Sequence, residues 1–283
     1  MNEVLRGYSR AMYANWLWHR PLQLLVDAGE GLQLALAANV FSPSCLAITH
    51  GHSDHVLGLP GLIGARRFGK GATDKPLAII YPGGSRGVAG VRELLATAYA
   101  GVDFPVSWIP VAGSGFRFSL GKGRTLEAFE VRHTPDELAL GYRVVETRRR
   151  LRSEFAQMAQ SEVEAMARQG RRDELLEDVR HIVFAHSGDA MPVDADQVRG
   201  ADVLVHDATF LEEADRREPI HATSEEAFAV ARASGVKRLI IQHMSVRYER
   251  STIVAVLRRQ LAASGFEGEC WWLDEDAFLD LRR

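Results

Sequence analysis

The sequence predicts an α/β fold in which two strand-rich halves flank one helical insert. Three observations carry this. Short runs of β-branched and apolar residues recur in both halves, segments with helical apolar spacing lie between them, and a charged stretch near the middle lacks the strand pattern. With 283 residues and 46% apolar content the chain can bury a sizeable core, and residues 1–283 read as one domain.

In chain order, strands are expected at 22–26, 46–49, 77–81, 106–110, 125–131 and 142–145. Residues 146–180 follow as the insert. Phe155, Met158, Val163 and Met166 stand there at helical spacing, Gly170 breaks the pattern, and Leu175, Leu176 and Val179 suggest a second short helix, giving a helical hairpin or arm. Strands resume at 182–185, 203–205, 239–241 and 271–273. "SEEAFAVARASG" predicts a helix from Ser224 to a stop at Gly235, without a full capping box because Ala227 stands three residues after Ser224. "STIVAVLRRQLAASG" predicts another, with Ser251 as N-cap and Gly265 as stop.

Composition narrows the class. The most apolar stretch, 32–41, is interrupted by Gln33 and Asn39 and is well short of the ~20 residues of a membrane span. The first twenty residues mix charges throughout, unlike a secretory signal, so no membrane association and a cytoplasmic setting are expected. Cys45 and Cys270 lie in apolar, strand-like runs and read as buried reduced thiols. A net charge of −3 argues against broad attraction to nucleic acid. Positive charge is local. Arg66, Arg67 and Lys70 follow the histidine cluster, and Arg148, Arg149, Arg150 and Arg152 form the densest run, a candidate nucleic-acid contact whose plainer reading is a solvated face.

Chemistry concentrates in "THGHSDHVLG", where His50, His52, Asp54 and His55 follow an apolar run. If 46–49 is a strand, the cluster occupies the turn at its carboxyl end, where α/β sheets commonly place their sites. Alternate residues of an extended segment share a face, so His50 and His52 can grip one ion, while the turn toward the following helix aims Asp54 and His55 at a second. Imidazole and carboxylate donors without thiolate suit zinc, manganese or iron, and four donors are too few to fill two coordination shells. His133, Asp189 and His243, each placed where a later strand stops, are the candidates to complete them, Asp189 being able to bridge two ions through its two oxygens.

These residues bring a family into view. The chain resembles the metallo-β-lactamase superfamily, and within it the ribonuclease Z branch, over nearly its whole length. "HGHSDH" is the general motif. The more specific pieces are "LLVDAGEGLQ", "HVLGLPGL", "SGD" at residues 187–189, "VHDATF", "HATSEEA" and "QHMSVRY". The resemblance implies a four-layer αββα sandwich, one metal held by His50, His52 and His133, a second held by Asp54, His55 and His243, and Asp189 as the bridge. It also implies a proton-donating pair at Asp207 and His221, and a homodimer to which the apolar stripe of the insert offers a contact. Three departures stand out. The family's opening Leu-Gly-Thr-Gly strand is replaced by "RGYSRAMYANWLWHRP", its Gly-Pro-rich tRNA-clamping arm is missing between His133 and Asp189, and Asp207 stands where glutamate is usual.

The expected reaction is phosphodiester hydrolysis assisted by two divalent metal ions, zinc or manganese. Asp54 orients the attacking hydroxide and His221, supported by Asp207, protonates the departing 3′ oxygen, leaving a 3′-hydroxyl and a 5′-phosphate. Because water supplies the nucleophile, the ribose 2′-hydroxyl is not required, so RNA is the expected substrate and single-stranded DNA a permitted one. His206, Thr209 and Ser245 are expected to support the site through hydrogen bonds. The alternatives are a tRNA 3′-processing endonuclease of the ribonuclease Z type and a small-molecule phosphodiesterase or lactonase of the same superfamily. A di-iron oxidoreductase is disfavoured by His52, where such members carry glutamate. An inert nucleic-acid-binding scaffold is disfavoured by the intact donor set.

Overall fold

A computed structural model describes residues 3–69, 75–99 and 105–283 of the chain. Among the described residues, β1 (Leu5–Arg10), β2 (Ala14–His19), β3 (Leu24–Val26), β4 (Cys45–Ala47), β5 (Leu77–Pro82) and β6 (Val106–Val111) form one sheet in that order. It is antiparallel from β1 to β3 and parallel from β3 to β6. A second sheet contains β7 (Arg117–Gly121), β8 (Arg124–Val131), β9 (Ala139–Leu151), β10 (Leu176–His186), β11 (Leu204–Asp207), β12 (Arg238–Gln242), β13 (Glu269–Asp274) and β14 (Ala277–Asp280), again in sequence order. Its centre, β10 to β13, is parallel. The helices are α1 (Leu32–Leu36), α2 (Ser53–Val56), α3 (Leu59–Phe68), α4 (Arg86–Ala98), α5 (Gln160–Arg168), α6 (Arg172–Leu175), α7 (Ser224–Ser234) and α8 (Arg250–Ser264).

The strand pleat sorts apolar residues into three cores. Leu24, Val26, Cys45, Ala47 and Ile80 of the first sheet meet Ala128, Tyr142, Val144, Val205 and Ile240 of the second in the middle layer. Their strand neighbours Leu25, Leu46 and Ile79 point the other way, onto Leu59, Leu62, Val88 and Leu95 of α3 and α4. Leu204, Leu239 and Ile241 likewise face Ala227, Phe228, Ile253 and Leu257 of α7 and α8. Strands buried on both faces read as continuous apolar runs, and that is why they were visible in the sequence. The result is the expected αββα sandwich. Cys45 and Cys270 are free and buried, and among the described residues no helix is long and apolar enough to cross a membrane.

Three expectations need correction. The sheets divide between β6 and β7 rather than at the insert, because β7, β8 and β9 pair with β10. The insert is mainly a two-stranded ribbon: β9 and β10 continue past the body to a last pair at Leu151 and Leu176, and α5 and α6 form only its tip. Oppositely charged residues face each other across this ribbon, Arg149 opposite Asp178 and Arg150 opposite Glu177, so a solvated antiparallel ladder forms without the apolar alternation that would announce it. Leu176 and Val179 are therefore strand residues, while Phe155, Met158, Val163 and Met166 lie half-buried at the tip beside buried Leu175. The helix starts also move. Thr223 caps α7 in a full capping box with Glu226, one residue before the expected position, and Glu249, not Ser251, stands at the N-cap of α8 without a side-chain cap. Gly235 and Gly265 end both helices in the left-handed conformation, as expected. Lys70 lies outside the described residues.

Candidate metal centre

The expected donors converge at one edge of the sandwich, where strands from both sheets end. His50 follows β4, His52 is the N-cap of α2, and Asp54 and His55 lie in the first turn of that helix. His133, Asp189 and His243 follow β8, β10 and β12. Ligand atoms of His50, His52 and His133 lie within 4.8 Å of one another, and so do those of Asp54, His55 and His243. Asp189 lies between the groups. Its Oδ2 is 3.8 Å from His50 Nε2, 3.3 Å from His55 Nε2 and 3.0 Å from His243 Nε2. His221 closes the site from above: its ring centroid is 4.7 Å from that of His133, and it stacks on His243 at 5.1 Å. Asp207 Oδ2 accepts a 2.7 Å bond from His221 Nδ1. His52 is exposed, which leaves the pocket open on that side.

The electrostatics are those of a cation pocket. Burial opposes the charge of Asp189, but His243 and His55 outweigh it and hold its carboxyl well below the usual range. Burial likewise opposes protonation of His55 and His243. Asp189 nevertheless raises both, with Asp27 helping at His55 and Asp54 at His243, which reaches about 10. His50 has less carboxylate support, and burial pushes it well below an ordinary imidazole. At His221 burial again opposes the charge, but the Asp207 carboxylate prevails and raises it.

Several supporting residues escaped the sequence reading. Buried Asp27 accepts from Thr49 N at 2.7 Å, from Thr49 Oγ1 and, at 2.8 Å, from His55 Nδ1. The β1–β2 hairpin, which replaces the family's usual opening, supplies Asn15. Its Nδ2 donates to Asp54 Oδ2 at 2.9 Å and its Oδ1 accepts from Ser9 Oγ, while Ser9 Oγ accepts from His243 N. Asp27 and His243 both adopt left-handed backbone, φ 58° and 62°, a conformation that non-glycine residues hold only under surrounding constraint. Gly188, φ 66°, stands in the turn before Asp189, where a Cβ would lie 2.8 Å from Thr49. Thr209 Oγ1 bridges Asp207 Oδ1 and His243 Nδ1, both at 2.8 Å, as expected of a supporting group. Ser245 Oγ instead accepts from Arg247 N, and buried His206 bonds the Asp207 carbonyl and Val193 N.

Known proteins resemble this chain along most of its length. A family model described as metallo-beta-lactamase superfamily matches residues 23–143, and one described as beta-lactamase superfamily domain matches 175–244. Ribonuclease Z of Metallosphaera sedula is 30% identical over 92% of this chain and 90% of its own. The chain belongs to the ribonuclease Z family of the metallo-β-lactamase superfamily. Ribonuclease Z of Halobacterium salinarum is 34% identical over 87% of this chain and 84% of its own. The fold is shared with the short form of human tRNase Z, which aligns over 98% of both chains with a TM-score of 0.67 at 19% identity. This ribonuclease Z relative is a metal-dependent hydrolase.

Its donors fit the divalent metal the superfamily implies. His50 Nε2 and Asp189 Oδ1 are buried without a hydrogen-bond partner among the described residues, a costly state for two polar atoms unless a cation takes their lone pairs, and His243 Nε2 faces the Asp189 carboxylate. Each histidine in the core of the group is also fixed through its other ring nitrogen: His50 Nδ1 by Thr49, His55 Nδ1 by Asp27, His133 Nδ1 by the Ile220 carbonyl and His243 Nδ1 by Thr209. This is the pattern of ligands oriented for a metal.

The arginines singled out in the sequence are elsewhere. Arg149 lies opposite Asp178, eight residues beyond His186 on the ribbon, or roughly 26 Å at the usual strand rise. Arg148 pairs with Glu146 and Arg149 with Asp173, both at 2.5 Å.

Proposed function

We propose that this protein is an endonuclease that hydrolyses RNA phosphodiesters at a two-metal centre, leaving a 3′-hydroxyl and a 5′-phosphate. His50, His52 and His133 would hold one cation, zinc or manganese, and Asp54, His55 and His243 the other, with Asp189 between them. What the cations supply when bound is positive charge against the phosphate and water acidified toward neutrality. The chain's own residues do the rest. Asp54, whose Oδ2 is fixed by Asn15 Nδ2 and Met12 N, orients the nucleophile. His221 delivers a proton to the leaving 3′ oxygen. Its Nδ1 is engaged by Asp207, which leaves Nε2 as the proton-donating atom, and the Asp207 carboxylate shifts the ring toward its protonated form.

The observation that carries this reading is the His221–Asp207 pair beside both donor groups. A proton donor is needed for a poor leaving group such as a ribose 3′ oxygen, and it is dispensable for p-nitrophenolate. We expect His221→Ala to lower cleavage of a 3′-extended tRNA precursor by about 10²- to 10⁴-fold while changing hydrolysis of bis(p-nitrophenyl) phosphate little. Asp189→Ala should abolish both. Undiminished RNA cleavage by His221→Ala would remove the proton-donor role from His221, and turnover of only the small phosphodiester or a lactone by the parent would replace the nuclease reading with that of a small-molecule hydrolase. The 2′-hydroxyl has no role in this chemistry, so single-stranded DNA is included in the same assay. Arg148, Arg149, Arg150 and Arg152, all exposed, are proposed contacts for an RNA body held away from the centre. The paired donors of one chain need no second protomer, and a homodimer remains part of the proposal through the family relation.

A further inference from the structure

A second cluster of charge lies on the outer surface of the sheet formed by β7 to β14, away from the metal centre. Three adjacent strands bring Arg117, Glu127 and Arg143 into one cross-strand row. The neighbours Leu126, Ala128 and Val144 fill the core between the sheets, so by the pleat this row faces outward. Glu127 is almost wholly buried, its side chain 6% exposed, and it accepts from Arg143 Nε at 3.0 Å, lies 3.1 Å from Arg117 Nε and pairs with Arg180 of β10. Arg143 is further fixed on the Gln197 carbonyl at 2.9 Å.

Three guanidinium groups against one carboxylate leave two positive charges in excess, in a protein whose net charge is −3. Arg143 and Arg180 border a cavity of about 310 Å³ with Val145, His181, Ile182 and Arg199. Arg199 is paired with Asp196 and His181 with Asp202, so the excess belongs to the three arginines grouped by Glu127. A buried carboxylate with three guanidiniums around it organises donors that present planar N–H edges to a further oxyanion, and phosphate is the anion they match bidentately. Ile182, at the cavity wall, is four residues before His186, roughly 13 Å along β10 from the strand end that leads to Asp189. An RNA held at the centre and running over this edge of the sheet places its backbone within reach.

We infer that the cluster of Arg117, Arg143 and Arg180 around Glu127 binds backbone phosphates of an RNA that extends past the catalytic centre, an assignment that rests on the RNA reading above. The test uses Arg117→Ala/Arg180→Ala, because these two side chains are more than half exposed and their loss leaves the Arg143–Glu127 pair in place. Binding of a fluorescein-labelled RNA hairpin with a single-stranded tail is measured over a salt series, in metal-loaded protein carrying His221→Ala to prevent cleavage. The double variant should bind about tenfold more weakly, with the slope of log K against log salt shallower by about 1.4 to 1.8, two phosphate contacts at ~0.7 to 0.9 each. With His221 restored, its hydrolysis of bis(p-nitrophenyl) phosphate should match the parent. Arg117→Lys/Arg180→Lys should restore the slope, which a purely structural role would not predict. RNA bound by the double variant with unchanged affinity and slope overturns the cluster and leaves the nuclease reading standing. A parent that binds no RNA but binds inorganic pyrophosphate through these arginines overturns the assignment to RNA and counts against the nuclease reading as well.

Discussion

At the scale of single residues, the side chains that converge on the site were legible, and of the groups that support them Thr209 was while Asp27, Ser9 and Asn15 were not. Three histidines and an aspartate within six residues can be read without a partner, because few structural roles need so many ligand-type side chains in one turn. Asp27 offers no such signal. An aspartate after a strand looks like any turn residue, and its meaning lies in Thr49 and His55, which reach it only in three dimensions. Ser9 and Asn15 are still more ordinary in sequence, yet they link His243 to Asp54. Asp27→Asn tests this layer cleanly, since asparagine tolerates the same left-handed backbone. It replaces one acceptor oxygen by an NH₂ group facing either the Thr49 N–H or the His55 ring. Metal affinity should fall by about 10- to 100-fold, read by titration against a competing chelator, with a stability loss of about 1–3 kcal/mol. Unaltered affinity would show that His55 is oriented without Asp27.

Among elements, the central strands of the body were readable because burial on both faces makes them largely apolar, whereas β1, β2, β7 and β14 lie outside the expected strands and the ribbon coincides with the expected helical insert. Its tip does carry helical spacing, and α5 and α6 are real, but the stems are held by backbone pairing and by opposite charges across the ladder, which leave no periodic apolar trace. Among residues 152–175, Leu175 is the one that is fully buried, so the outer ribbon contributes little to the core of the body. Replacing residues 149–178 by Asn-Gly closes the ladder at the Arg148–Val179 pair with a two-residue turn that suits a hairpin. We expect the shortened protein to fold and to hydrolyse bis(p-nitrophenyl) phosphate within about twofold of the parent, since every metal donor precedes or follows the excised segment. RNA affinity should drop several-fold if Arg149, Arg150 and Arg152, which the deletion removes, touch the substrate. Equal affinity would overturn the contact of these three with RNA.

For the whole molecule, the division into two sheets depends on which strands pair over long distances, and no local pattern in β6 or β7 announces it. The same long-range assembly buries histidines outside the two donor groups, and these set how the fold responds to acid. His19 packs edge-on against Phe184 at 5.2 Å, its Nδ1 has no hydrogen-bond partner among the described residues, and burial lowers its pKa to about 4. His186, whose Nδ1 accepts from Gly188 N at 2.9 Å, is lowered to about 4 by the same cause. Both rings are therefore neutral in the folded chain at pH 6, where an unfolded chain with ordinary imidazoles already binds protons. Below about pH 6.5 the unfolded state holds more protons than the folded one, so stability falls with pH until the folded rings titrate near 4. Each ring accounts for about 3 kcal/mol over that window, and together they amount to much of a typical domain's stability of ~5–15 kcal/mol. His19→Phe keeps the edge contact with Phe184 and removes the titration. Urea denaturation from pH 7.5 to 4 should show the variant losing about 3 kcal/mol less than the parent across the acid range, with the difference developing below pH 6.5. Parallel curves for the two proteins would mean that His19 is protonated in the folded state and that the acid sensitivity arises elsewhere.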